Sequence, residues 1–419
     1  MNTKKSIAVA ICMGPLTLAQ LATAGSDDLV VPAAPEAKQI GDYLKPVFDV
    51  RLRYEYRDQD GLESSNSITA RARAGLMLKD LHGFSALVEA EGTVALLDDY
   101  NSGAAGARPF NPGQTAISDP ENLEMNRVWA QYERNEWAIK AGRQRIIRNN
   151  AAFIGNVGWR QNEQTFDAAQ LSYKAEAASI SYVYADQVNR IFGKDAAGGA
   201  KEFEGDFHLI DGQFDSPIGK VGAYAYLMDV ENVTKVGNNT VGAYNTFDLL
   251  SGKLYLEGAY QSQGNSNSFD YSSGYGHAHY TLSCEDTKQS FSFGLEYLEQ
   301  AFVTPLATVH AFNGFADAFI GDRIGLSKNN DGTRSNNYEG LSDFYVKYTK
   351  KGLPYGLVGK AHAHYFLTDS FDNSYGWELD GVLVKKFNEN FTGLIKAAYF
   401  FGDSRPDIAQ ITTDLSYTF

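Results

Sequence analysis

Arg51, Arg53 and Arg57 recur at odd positions in the run FDVRLRYEYR, and Arg71 and Arg73 repeat the spacing in ITARARAGLMLK. With apolar residues between them, this spacing sets every guanidinium on one face of an extended chain. The chemistry open to such a row is electrostatic: it attracts anions, orients dipoles and pairs with carboxylates. Glu89 and Glu91 offer carboxylates at the same spacing in FSALVEAEG, while Arg127 in RVWAQYE and Lys140 in WAIKAG add cations. Two readings stay open. The nine residues line a water path, or they form an ion-pair network that stiffens a wall.

Other candidate chemistry is thinner. Lys360, His362 and His364 share one face of GKAHAHYF, and His208 is placed toward an interior, so a metal site is conceivable. No third ligand can be assigned from the sequence. Imidazoles at i and i+2 serve more often as polar lining, and neither a metal nor another cofactor is expected. A hydrolase needs a nucleophile held by a base and an orienting acid. No such motif occurs and the serines are scattered through turns, so the chain is not expected to be an enzyme. Cys12 lies in the N-terminal apolar run, which leaves Cys284 without an internal partner in a turn.

The elements that position these residues follow from period two. Phe48, Val50, Leu52, Tyr54 and Tyr56 alternate with Asp49, Arg51, Arg53, Glu55 and Arg57. Successive side chains of a strand leave opposite faces, so one face is wholly apolar and the other wholly charged. The alternation continues through SISYVYA, VGAYAYLMD, KLYLEGAYQ, SFSFGLEYL and FTGLIKAAYF to QITTDLSYTF, giving about eighteen strands. Short joins such as RNE, AEAA and DSPIGK alternate with longer ones: Leu96 to Asn122, Ile147 to Gln164, Asp186 to Gly205, Ser262 to Tyr275 and Gln300 to Gly340. A soluble sandwich has no reason to keep that asymmetry, whereas outer-membrane barrels have short periplasmic turns and long extracellular loops. The spacing therefore predicts an all-β fold, a transmembrane antiparallel β-barrel, with outward Ile411, Leu415, Tyr417 and Phe419 closing it.

Composition agrees. A net charge of −14 argues against a nucleic-acid partner. A mean hydropathy of −0.33, with no late apolar run near ~20 residues, excludes membrane-spanning helices but is blind to barrels. MNTKK followed by SIAVAICMGPLTLAQL and Ala22-Thr23-Ala24 reads as a signal peptide over residues 1–24. Residues 25–46 then form a periplasmic leader and residues 47–419 the barrel.

Two joins stand out. In GWRQNEQTFD, Trp159, Arg160, Gln161 and Asn162 either meet a passing sugar or pack the loop against the barrel rim, the second being preferred. VTPLATVHAFNGFADAFIGDRIGL is too apolar for a free loop. It is expected to fold into the pore mouth, carrying His310, Phe312, Asn313, Phe315 and Asp317, with a short helix suggested by Val309, Phe312, Ala316 and Phe319. Glu133, Glu257, Glu296, Glu378 and Asp380 also fall on expected inward faces.

The blocks AGRQRIIRNNAAFIGNVGWRQNEQTFDA, VNRIFG, HLIDGQFDSPIGKVGAYAYLMD and TPLATVHAFNGFADAF resemble the alginate export family of outer-membrane channels. That resemblance implies a monomeric barrel in the outer membrane that moves acidic polysaccharide or small solutes. Its partners would be outer-membrane lipid, lipopolysaccharide and the barrel assembly machinery. The inward carboxylates favour a passive porin for small polar or anionic solutes, such as sugar acids and oligosaccharides, over an alginate exporter. A surface adhesin that only displays loops is the reading from another class.

Overall fold

The computed structural model describes residues 40–265, 270–325 and 339–419. The signal peptide, most of the leader and Leu326 lie outside the described residues. Strands run β1 (Leu44–Gln59), β2 (Ser65–Leu81), β3 (Phe84–Asp99), β4 (Asn122–Arg134), β5 (Trp137–Gln144) and β6 (Thr165–Lys174). β7 (Ala178–Asn189), β8 (Glu202–Ser216), β9 (Gly219–Val230), β10 (Asn238–Leu249), β11 (Gly252–Gln263) and β12 (Ser272–Cys284) follow. β13 (Gln289–Leu298), β14 (Leu341–Leu353), β15 (Leu357–Leu367), β16 (Ser374–Lys386), β17 (Phe391–Gly402) and β18 (Ile408–Thr418) complete the series. Each strand pairs antiparallel with its sequence neighbours, and β18 returns to β1 in register from Asp49↔Thr418 to Gln59↔Ile408. The sheet is a closed 18-stranded barrel. Closure matters energetically, because every unpaired backbone group in lipid would cost several kcal/mol.

The short joins stand at one end, together with the start of β1 and Phe419. Asn135, at φ 54°, makes the tight β4–β5 reversal, a left-handed position that Asn tolerates. The long joins stand at the other end. β1 begins at Leu44 rather than Val47, and β3, β7, β8, β11 and β12 outrun the expected limits at the long joins, β3 reaching Asp99, whereas β5 and β13 stop short of them. Those extensions follow from the closed ladder, which keeps polar residues extended at the barrel mouth.

Outward side chains are apolar and exposed: Leu76, Val88, Ile139, Ile180, Val241, Phe293 and Ile395. An apolar exterior this continuous needs lipid around it. Two aromatic belts bound it. At the short-turn end Phe84 meets Tyr132 (4.7 Å between ring centroids), Trp137 meets Tyr173 (4.8 Å) and Phe391 meets Tyr417 (4.8 Å). At the other end Trp377 stacks on Phe401 (3.9 Å). Such girdles mark the two membrane interfaces of outer-membrane barrels.

The interior departs from a plain watery lumen. Phe166, Phe203, Phe207, Leu298, Phe366 and Phe400 point inward and make an apolar core with Ile154, Phe302, Leu306 and Phe319 from the joins. His208, expected to face the lumen, faces outward instead. Phe207 and Leu209 take the inner positions on β8, and the His208 ring joins Tyr182 (2.9 Å from its hydroxyl) and Tyr184 on the outside.

Candidate functional site

Two joins turn back far into the barrel, each held by a different part of the wall, and a third, between β3 and β4, reaches in beside the first with Asp119, which accepts the Gln161 amide (2.8 Å). The first, between β5 and β6, lies along β1 and β2. Arg51 donates to the carbonyls of Trp159 (2.9 Å), Arg160 (3.1 Å) and Gly158 (3.2 Å). Arg53 donates to the Trp159 carbonyl (2.6 Å) and pairs with Asp414 (2.7 Å) and Asp119 (3.0 Å). Arg71 reaches the Gln161 carbonyl (3.3 Å) and pairs with Asp49. Arg73 reaches the same carbonyl (3.4 Å), pairs with Glu91 and stands 3.5 Å from Glu163. A row of guanidiniums at period two thus meets a row of peptide carbonyls, and charge assistance makes these strong hydrogen bonds.

The loop answers with its own side chains. Arg160 donates to Glu55 (3.0 Å), and the Gln161 side chain donates to the Thr69 hydroxyl (2.9 Å). Asn162 is fully buried beside them. Glu163 is the hub: it accepts two bonds from Arg145 (2.6 and 2.7 Å) and one each from Asn126 (2.9 Å) and Asn156 (2.7 Å). Burial alone would raise the Glu163 carboxyl, but Arg73 and Arg145 outweigh it and hold the group well below the usual carboxylate range. A register shift between β3 and β4 helps, since it turns the sequence neighbours Asn126 and Arg127 inward together. Both then meet Glu89, at 2.8 Å and 2.6 Å.

The second join, between β13 and β14, lies along β13 to β17. Arg323 makes a two-pronged pair with Glu296 (2.8 Å), and Asn313 donates to Glu296 (2.8 Å) and Asp343 (3.2 Å). The Ala316 amide donates to Glu378 (2.7 Å), and Phe319 packs on Phe366 (4.8 Å). The expected helix from Val309 to Phe319 does not form. Asn313 (φ 52°), Gly314 (φ 80°) and Asp317 (φ 56°) are left-handed, leaving a 3₁₀ turn at Val309–Ala311 and a single turn of α-helix, α1, at Ile320–Arg323. A Cβ on Gly314 would collide with the Glu378 carboxylate, so that glycine is required by close approach as well as by φ.

The two joins then meet. Ile154 and Leu306 form a parallel bridge, with Gly155 N–H to Leu306 (2.8 Å) and Thr308 N–H to Ala151 (3.0 Å). Trp159 stacks on His310 with centroids 3.4 Å apart. The Lys396 ammonium can only donate, so His310 Nε2 accepts from it and Nδ1–H donates to Asp317 (3.0 Å). Burial, opposed by Asp317 and aided by Lys396, lowers the His310 imidazole to about 3, so it is neutral. Phe315 also stacks on His310 (5.0 Å), and Arg323 lies over Phe312 (4.9 Å). Together the joins form a plug across the lumen.

The nine charged residues therefore share the inner face, but several hold the plug instead of lining open water: Arg53, Arg71, Arg73, Glu89 and Glu91 are buried. Arg57 bonds to neutral Gln410, and Lys140 covers the Trp129 ring at 4.0 Å. Trp159 to Asn162 pack deep inside the barrel, not on its rim. Three anchors escaped the sequence reading. Asp119 sits in a long join without periodicity. Glu163 follows directly on the four residues singled out. Arg323 is a lone cation in an apolar run, a signal that could have marked it.

Two small cavities flank the plug. Toward the long joins, Arg57, Arg160, Arg405, Asp317 and Ser118 line about 290 Å³. Toward the short turns, Tyr255, His277, His279, Asp343, Tyr345 and Lys347 line about 300 Å³.

Residues 42–186 match the alginate export family. The TPLATVHAFNGFADAF block lies beyond that match. No curated protein matches the chain in sequence. Among solved structures, Acinetobacter baumannii OccAB4 has a TM-score of 0.65 at 14% identity, covering 90% of this chain and 98% of its own. Pseudomonas aeruginosa OccK9 (OpdG) scores 0.65 at 12% identity, covering 91% and 100%. Pseudomonas aeruginosa OpdK, solved with vanillate, scores 0.61 at 14% identity, covering 89% and 98%. The fold is that of these barrels, nearly end to end.

Proposed function

We propose that this protein is an outer-membrane channel through which small polar and anionic solutes diffuse, and that the two-loop plug sets its size limit. The observation that carries the reading is a barrel of porin size whose lumen is crossed by a plug with a small cavity on either side. Eighteen strands alone would leave an aqueous channel. The plug narrows it, and cavities of about 290 and 300 Å³ suit solutes of monosaccharide or aromatic-acid size. In the outer cavity Arg57, which meets neutral Gln410, favours a carboxylate, while Arg160 and Arg405 are already paired with Glu55 and Asp322. OpdK crystallised with vanillate, itself a small carboxylate.

Export of an acidic polysaccharide is the second reading, supported by the alginate export match. A polymer would need both joins to leave the lumen, breaking the bonds that hold them. On either reading residues 1–24 act as the signal for export. A single chain suffices, because the barrel closes on itself; its insertion would fall to the barrel assembly machinery and its outer belt would meet lipid and lipopolysaccharide. Liposome swelling tests the proposal. Sugar acids and small carboxylates should enter faster than neutral disaccharides, and planar bilayers should show steady small conductance. A barrel that inserts but neither conducts nor swells liposomes would be a display scaffold.

A further inference from the structure

We propose that His362, His364 and Asp380 bind one divalent transition-metal ion of the zinc type on the inner face of β15 and β16. His362 stands directly opposite Asp380 in the β15–β16 ladder, and His364 is the next inward residue along β15. One carboxylate oxygen, Asp380 Oδ2, lies 3.8 Å from His362 Nδ1 and 3.8 Å from His364 Nε2. All three ligand atoms fall within 4.8 Å of one another. Each of the three is buried and accepts no hydrogen bond from an N–H donor, although Asp380 also meets the Glu378 carboxyl two residues along β16, which competes for it. Three separate orphaned atoms that converge on one point are costly unless something positive sits between them.

The tautomer sharpens the point. His364 Nδ1 faces both oxygens of Asp343 at 2.9 Å, so it carries the ring proton and donates it. In the neutral ring Nε2 is then a lone pair aimed at a carboxylate oxygen. A proton there would be too far from Asp380 for a good hydrogen bond, whereas an ion between the groups needs donors about 2.0–2.2 Å from itself. Small side-chain shifts bring the donors to that spacing. The Asp343–His364 contact is also the outer-shell carboxylate that commonly orients a metal-binding imidazole. Two nitrogens and one oxygen, with an open position, suit a borderline cation better than calcium or magnesium. Lys347, opposite His362 in the β14–β15 ladder, turns its ammonium over the Tyr345 ring (4.5 Å). The other Asp380 oxygen accepts the Phe315 amide at 3.4 Å, so the ion would sit where the plug touches the wall.

The test uses the full barrel without a histidine tag, stripped with chelator and titrated with Zn²⁺ and with Co²⁺. Expected are saturable uptake of one ion per chain and a zinc X-ray absorption spectrum showing two imidazoles and oxygen donors. His362→Gln and Asp380→Asn should abolish saturable uptake while the unheated protein keeps the mobility of a folded barrel. Asp343→Asn should weaken uptake about 10- to 100-fold. Absent saturable uptake, uptake unchanged in both ligand variants, or fewer than two imidazoles in the wild-type spectrum would each overturn the site. The spectrum needs no variant, so a variant that fails to fold leaves the proposal testable.

Discussion

Glu163→Ala should unlock the plug. Its side chain is fully buried and takes bonds from Arg145, Asn126 and Asn156, with Arg73 3.5 Å away. Truncation takes the carboxylate from Arg145 and Asn156, while Arg73 keeps Glu91 and Asn126 keeps Glu89. Breaking a buried pair by removing one partner costs about 3–5 kcal/mol, mostly through the charge left behind. Strand pairing is untouched, so that cost falls on the closed arrangement of the loop and not on the barrel. At 1.4 kcal/mol per factor of ten, the ratio of seated to unseated loop should fall by roughly 10² to a few times 10³. Single-channel recording reads this directly: the variant should show larger, noisier openings and admit larger sugars in liposome swelling. Glu163→Gln, which keeps the shape and some hydrogen bonds, should lie between. If Glu163→Ala inserts as a heat-resistant barrel and conducts like the wild type, the hub does not hold the constriction.

Three further outcomes follow from the same geometry. A Cβ at Gly155 would strike Thr308, so Gly155→Val should part the two joins and raise conductance as much as the loss of Glu163, measured in the same bilayers. Arg57→Gln should reduce anion preference in a salt gradient, because this guanidinium meets a neutral partner and its field reaches the outer cavity; the effect should fade near 1 M salt, where screening acts over about 3 Å. His310 has its pKa lowered to about 3, so its contribution to plug stability is complete above about 6.5 and is lost progressively as pH falls toward 3. Channel noise should therefore rise on acidification through pH 6 to 4. His310→Gln should remove that pH dependence, and an unchanged profile in the variant would assign it elsewhere.

How much of this was legible beforehand depends on whether a residue's neighbours are close in the ladder. Arg53 and Glu91 could be placed on the inner face because strict alternation leaves no other face for a charge. The eighteen strands could be counted for the same reason. His208 defeated the rule, since Phe207 and Leu209 were needed inside against the joins, and the period alone does not say which of two mixed faces is the wetter. The helix expected from Val309 to Phe319 failed on local chemistry: Asn313-Gly314 and Asp317 take left-handed conformations that end any helix.

What no single segment reveals is that the joins complete each other. Trp159 and His310 are remote in sequence, and neither carries a mark of the other; the stack exists because one loop is drawn to the arginines of β1 and β2 and the other to the carboxylates of β13 to β16. The sequence displays both charge rows openly, yet an inward charge in a barrel can meet water, an ion or a loop with equal ease. The choice is made by pairing. Arg53, Arg71 and Arg73 are covered and their charges are matched locally by Asp119, Asp414, Asp49, Glu91 and Glu163, whereas Arg57, equally covered, bonds to neutral Gln410. That matching removes these arginines from the list of groups a solute can reach. Selectivity should then rest on Arg57 and its neighbours at the outer cavity, with the inner arginine wall acting as the plug's anchorage.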